Sequence, residues 1–190
     1  MVRNYVDEPI ADEVLARIAE AGRRAPSAGF SQGLALVVVT DRSTRLGIAE
    51  LAGETEYLAH GFDPWISRAP AHLVLCVSEA AYHRRYQEAD KIDEDGDETE
   101  WPIPYWWVDA GAAMMAVLLA AVDEGLAAGF LGVHSIPGLQ SLLEIPSEFT
   151  PIGVITIGRG LEDRRSGSLQ RGWRPVSDVI HWQRWHQGTG

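Results

Sequence analysis

The ten residues Arg23 to Gln32, RRAPSAGFSQ, concentrate small and hydrogen-bonding side chains. Pro26 lacks a backbone N–H and disfavours helical geometry at Ala25, so it closes the helix that precedes it. Ser27, Ala28, Gly29 and Ser31 are small enough for a planar ligand to approach the backbone, and Gly29 tolerates angles that other residues avoid. Ser27, Ser31 and Gln32 carry hydroxyl and amide groups that can pair with ring N–H and C=O edges. The chemistry suggested is that of holding a flat heterocycle. Taken alone, the segment also reads as an ordinary helix-to-strand turn, which is the simpler account of it.

A second candidate is the aromatic cluster WPIPYWW, Trp101 to Trp107. These rings are either core or subunit interface, or, for Trp101, Tyr105 and Trp106, the hydrophobic wall of a substrate pocket. The cluster follows a strongly acidic stretch, residues 88–100, which reads as a solvated, mobile loop and with the aromatics makes a plausible gate. The histidines at 60, 72, 83, 134, 181 and 186 show no zinc-site spacing. There is no Ser-His-Asp pattern and no phosphate-loop glycine motif.

The elements that must position these residues read as alternating helices and strands. Ala11 to Arg24 is an amphipathic helix with Val14, Leu15, Ile18 and Gly22 on one face, and its terminal charges oppose the helix dipole. Leu34 to Thr40 and Ala71 to Ser78 are apolar strands without polar alternation, so helices should cover both faces. Ser43 to Leu58 reads as one helix and Tyr82 to Lys91 as another. Val108 to Gly125 is a helix that is apolar nearly all round and must be buried on all sides. A chain this small rarely encloses one helix completely, so a second subunit should cover part of it. Ala128 to Val133 and Pro151 to Gly158 complete the strands, with a helical turn at 137–143 between them. Leu161 to Gly172 is a polar loop, and residues 174–190 form an arm whose Trp182 and Trp185, with Trp173 just before it, should pack on a partner subunit.

The length suits one domain, residues 1–190, with no repeat and no linker. A net charge of −11 argues against a nucleic-acid partner, so a phosphorylated ligand needs a local cluster of arginines. Cys76 is the only cysteine and sits in an apolar run, which fits a buried thiol in a reducing cytoplasm. No signal peptide is visible, and the apolar run 110–122 is shorter than the roughly 20 residues of a membrane span.

RRAPSAGFSQ resembles the helix-end segment of the nitroreductase family, whose usual pattern is A-P-S-[AGS]-x-[NF]-[ST]-Q-P-W. Val2 to Ile10, VRNYVDEPI, is similar to that family's opening segment. VDAGAAMM to AAGFLGV, residues 108–133, is similar to its central helix and following strand, and the strand at 151–155 and Arg174-Pro175 also fit. The resemblance implies an α+β sandwich, a mostly antiparallel sheet flanked by helices in an intertwined homodimer with flavin at the subunit interface. It implies FMN as cofactor, NADH or NADPH as electron donor, and a small electron-poor acceptor such as a nitroaromatic or quinone. No catalytic side chain is then needed, because the flavin carries the chemistry.

By the same resemblance, Pro26, Ser27, Ala28, Gly29 and Phe30 lie along the ring and ribityl chain. Phe130, Leu131, Gly132 and Val133 lie over one ring face, with a backbone N–H near Gly132 donating to the ring nitrogen that accepts hydride. Arg3, Arg171 and Arg174 hold the phosphate, with Arg164 and Arg165 as a weaker alternative. The departures are Gly33-Leu34 for the family's Pro-Trp, Phe30 for a frequent asparagine, and Met1 where basic or hydroxyl residues usually precede Arg3. Either the true start lies upstream or the phosphate site is weakened. Two other readings stand beside the oxidoreductase: a flavin-sequestering protein with little turnover, and a flavin-fragmenting or dehalogenating relative.

Overall fold

The structure, a computed structural model, describes residues 1–164 and 166–185. Four strands form one sheet: β1 (Leu34–Val39), β2 (Ala71–Val77), β3 (Ala127–Gly132) and β4 (Thr150–Gly158). Their order is β1-β2-β4-β3, and every pairing is antiparallel. The helices are α1 (Asp12–Arg23), α2 (Arg42–Leu51), α3 (Glu54–Ala59), α4 (Glu79–Tyr86), α5 (Tyr105–Asp123) and α6 (Leu139–Leu142).

Alternation along the strands sorts the core into two layers. Leu73, Ile155 and Ile157 face α1 and α5, where Leu15, Ile18, Val117 and Ala121 meet them. Val74, Cys76 and Val154 face the other side, against Ile48 of α2, Leu139 of α6, Tyr5, Trp65 and Ile66. β2 is buried on both faces as its sequence predicts, and burial pushes the Cys76 thiol up to about 11. β1 is an edge strand, and Val38 near its end stays 43 % exposed, so helices cover it less completely than expected. α1 and α5 approach closely because Gly22 has no side chain: a Cβ there would sit 2.6 Å from Val117 Cγ2.

Several expected boundaries differ, and α5 begins three residues earlier than read. The helix read over 43–58 is two helices, broken at Gly53, which takes φ +68°. The helix after β2 begins earlier, at Glu79, because the Ser78 side chain caps it by accepting from Ala81 N–H. It ends at Tyr86, and the acidic stretch then folds back on itself rather than standing free. Asp93 Oδ1 accepts from the N–H groups of Asp95 and Asp97, and Ile92 bridges to Glu98.

The apolar helix α5 buries only one side within the chain: Trp106, Asp109, Ala110, Ala113, Val117 and Ala121. Val108, Met115, Leu119 and Val122 are 51 %, 47 %, 63 % and 64 % exposed. By length and composition alone this 19-residue helix could cross a membrane, unlike the shorter run considered from sequence. Its inner side is occupied by α1 and the sheet. Trp173, Trp182 and Trp185 are also exposed. Among its described residues the arm has one 3-10 turn, Val176–Asp178, and residues 186–190, with His186, lie outside the described residues.

Candidate functional site

The turn between α1 and β1 is strained and clamped. Gly29, Phe30 and Gln32 take φ of 60°, 58° and 51°. A non-glycine residue in this region costs on the order of 1 kcal/mol or more, so outside contacts must hold it there. Asp109, buried on α5, accepts the Ala28 N–H at 2.8 Å and the Tyr82 hydroxyl at 2.9 Å. Burial and then the adjacent carboxylate raise the Tyr82 pKa, which keeps that hydroxyl a donor. Arg85 Nε donates to the Gly29 carbonyl at 2.9 Å, and the same guanidinium grips Asp90 at 2.7 and 2.8 Å. Within the turn, Ser31 Oγ donates to the Ala28 carbonyl and the Gln32 N–H donates to Ser27 Oγ. Pro26 is exposed, and the Phe30 side chain is 74 % exposed.

Two clefts adjoin this turn. One of about 670 Å³ is lined by Ala19, Arg23, Ser27, Phe30, Gln32 and Leu34, among others. The other, about 220 Å³, lies between Ala28 and the aromatic residues Tyr86, Trp101 and Tyr105. Trp101 and Tyr105 therefore line a cleft. Trp106 does not line it. It is 7 % exposed and packs in the core beside Tyr82, because the first turn of α5 points it inward.

The second group of predicted residues lies along the outer edge of β3. The Val2 N–H donates to the Ala128 carbonyl at 3.1 Å. In an antiparallel ladder a residue's N–H and C=O point to the same side, and the side alternates along the strand. Ala128 points outward, so Phe130 and Gly132 do too, and beyond Val2 their backbone groups lie on an open edge. Phe130 and Leu131 send their side chains to opposite faces of the sheet. Gly132 leads into Val133, and the His134 ring lies against the Gly132 α-carbon: a Cβ there would be 2.8 Å from His134 Nδ1.

Val2 stands opposite Ala128, four strand residues or about 13 Å from Gly132 by the strand rise, and Arg3 follows it. The opening segment is pinned there. Arg3 N–H donates to Asp163 at 2.8 Å, Asn4 Nδ2 to the Glu162 carbonyl at 2.9 Å, and Tyr5 Oη to the Val2 carbonyl at 2.7 Å. The Arg3 guanidinium lies 5.8 Å from the Trp65 ring centre, and that of Arg164 lies 5.4 Å from Phe62. Both line a cleft of about 290 Å³ with Asp63, Asp163, Ser166 and Gly167. Buried Glu54 accepts the Ile66 N–H at 2.6 Å, and buried Arg45 donates to the Ala69 carbonyl at 2.6 Å, which fixes the loop carrying Trp65. Arg171 and Arg174 are exposed and do not line this cleft; Arg174 donates instead to the Asp178 carbonyl. Arg165 lies outside the described residues.

The 27–32 turn and Gly132 lie at the same end of the sheet, since Leu34 pairs with Val77, Val77 with Thr150, and Gly132 with Gly153. They sit on opposite edges, separated by three strand spacings, about 14 Å.

The nitroreductase family model matches residues 1–159. The chain belongs to the nitroreductase family. Among its relatives is an FMN reductase [NAD(P)H] of Bacillus subtilis, 30 % identical over 173 residues, which cover 83 % of this chain and 61 % of that one. An NADPH-dependent oxidoreductase of Staphylococcus aureus is 20 % identical, covering 97 % of this chain and 70 % of the other. The chain thus spans less than two thirds of the B. subtilis relative's length. A solved hypothetical oxidoreductase from B. subtilis superposes with a TM-score of 0.73 at 27 % identity, covering 98 % of this chain and 71 % of that one. The NADPH:FMN oxidoreductase of Vibrio harveyi complexed with NAD+ shares the fold, with a TM-score of 0.70 at 24 % identity, over 98 % and 74 % of the two chains. The α+β, antiparallel nitroreductase-like fold read from the sequence is therefore the fold of this chain.

Sequence reasoning about this nitroreductase-family chain missed Asp109, Tyr82 and Arg85, the residues that clamp the turn. One signal was available: Asp109 is the only charged residue between Trp101 and Val122. A lone carboxylate in an apolar helix needs partners, and here it has the turn.

Proposed function

We propose that this chain is an FMN-dependent NAD(P)H oxidoreductase that works as a homodimer, each flavin site being shared between two copies. When bound, FMN supplies the two-electron chemistry, taking hydride from NAD(P)H and passing electrons to a small electron-poor acceptor such as a quinone or nitroaromatic.

The observation that carries this reading is the donor set on the β3 edge. The Gly132 N–H on an open strand edge suits a ring nitrogen whose negative charge grows on reduction. In the cleft beside the opening segment, the Arg3 and Arg164 guanidinium groups rest on aromatic faces with no carboxylate partner among the described residues. That leaves their planar N–H forks available to phosphate. Asp63 and Asp163 in the same cleft oppose an anion, so the two arginines act against a local negative field. Arg171 and Arg174 do not line this cleft within one chain, and Arg174, on the arm, would join it from the second copy.

The distance across the sheet supports sharing between copies. The strained 26–30 turn and Gly132 are on opposite edges, too far apart for one ring to touch both within one chain. The exposed α5 residues Val108, Met115, Leu119 and Val122 form one apolar stripe, and Gly111 beside them has open space where a Cβ would be. Such a stripe on a soluble surface marks an interface. In the dimer the turn of one copy, with Phe30 outward, would face the β3 edge of the other.

Purified protein should be yellow, and its flavin should bleach on anaerobic addition of NADPH or NADH and recolour with a quinone. Flavin that stays bound and oxidised under both nucleotides would instead favour the sequestering reading.

A further inference from the structure

Glu98 gathers three donors at the edge of the small aromatic cleft. Trp101 Nε1 and His83 Nδ1 both reach Glu98 Oε1 at 2.6 Å, and Gln87 Nε2 reaches the other oxygen at 3.3 Å. Trp101 is the wall of the cleft facing Ala28, and its ring also meets Tyr86 at 4.3 Å between centres. At about 220 Å³ the cleft is below the range of ~300–1000 Å³ typical of drug-sized ligands, so it suits one small fused ring system. Glu100 in its lining disfavours anions.

Resting on the oxidoreductase reading above, we propose that Glu98 and His83 are positioning residues for a neutral aromatic acceptor. The protonated His83 holds Glu98, Glu98 holds the Trp101 indole as the cleft wall, and acceptor affinity falls when His83 loses its proton.

The charged groups facing His83 are Glu98 from the acidic stretch and Glu79 on its own helix, whose Oε1 lies 3.5 Å from Nε2. From the 101–107 segment it meets only the Trp101 and Trp106 rings. Arg84 and Arg85 on the same helix are spent on Glu148 and on Glu88 and Asp90. With two carboxylates and, among the described residues, no cation facing it, the His83 pKa is raised, chiefly by the Glu98 bond. A raised histidine pKa means the latch is complete at low pH and weakens as pH rises through the folded value, above the usual ~6.5. The neutral imidazole can still donate to the ionised Glu98, but the attraction between opposite charges is gone, so the wall loosens rather than disappears.

The test uses the flavin-loaded holoenzyme, reduced anaerobically with NADPH and mixed with menadione from about pH 6 to about pH 9. The wild-type KM for menadione should rise about five- to tenfold across this range with little change in the limiting rate. His83→Gln should show the raised KM throughout, and His83→Lys, charged across the range, should keep the low one. Glu98→Gln should raise KM at every pH. Reoxidation by dioxygen, which needs no aromatic wall, and thermal midpoints should stay near wild type. A menadione KM with the same pH profile in wild type and His83→Gln, or an unchanged KM in Glu98→Gln, would overturn the proposal. Failure of the nucleotides to reduce the flavin appears before menadione is added and overturns the oxidoreductase reading instead.

Discussion

Asp109, on the buried side of α5, accepts the Ala28 N–H at 2.8 Å and so ties the strained turn to the core. The same oxygen holds the Tyr82 hydroxyl. Asp109→Ala would leave two donors without an acceptor in a buried setting, at a cost of about 1–3 kcal/mol. The expected outcome is a flavin Kd raised about tenfold or more and a lowered thermal midpoint. Asp109→Asn, which keeps one acceptor oxygen, should lie between. Isothermal titration with FMN checks this, and equal affinity in all three proteins would show that the turn does not need its clamp.

The exposed stripe on α5 gives a prediction about assembly. Leu119 and Val122 are 63 % and 64 % exposed in the single chain. Placing carboxylates there puts charge into an interface that should be apolar. The double variant Leu119→Glu, Val122→Glu should sediment as a monomer, retain its fold by circular dichroism, and lose most of its bound flavin. A dimer that survives both changes would place the interface elsewhere.

The sequence made β2, the 26–30 turn and the Val14, Leu15, Ile18 and Gly22 face of α1 legible because each follows from local composition. A run of buried apolar residues, a proline with glycine, and a glycine at helical spacing need no distant partner to be recognised. The acidic stretch was not legible. Its shape depends on Glu98 reaching His83 and Trp101, and on Arg85 reaching both Asp90 and Gly29, and no periodicity encodes those contacts. Trp106 stays open between core and pocket wall in the sequence because aromatic composition does not say which turn of a helix faces inward. The arginines were ambiguous for a related reason: Arg164 joins Arg3 in one chain, while Arg171 and Arg174 do not.

Acid sensitivity should centre on His72. It is fully buried on β2, its Nε2 meets the Ile66 carbonyl at 2.8 Å, and burial lowers its pKa to about 4. A histidine with a lowered pKa favours the neutral folded state. Its contribution is complete above the ordinary value of ~6.5 and is lost as pH falls toward about 4. A shift of this size corresponds to about 3 kcal/mol over that interval. His72→Gln should therefore be less stable at neutral pH yet lose less stability between these pH values, measured by urea unfolding. Parallel pH profiles in the two proteins would rule this out.

The central claim is that one flavin site is built from the Arg3 and Gly132 edge of one copy and the 26–30 turn of the other. Two disabled variants test it together. Arg3→Ala removes a guanidinium from the first half. Gly29→Val disrupts the second, because φ there is 60° and a Cβ would meet the Tyr86 ring at 2.6 Å. Each variant alone should bind little FMN. In purified heterodimers one site carries both lesions and the other carries none, so one flavin per dimer should return, reducible by NAD(P)H. Heterodimers that bind no more flavin than either parent would contradict the shared site.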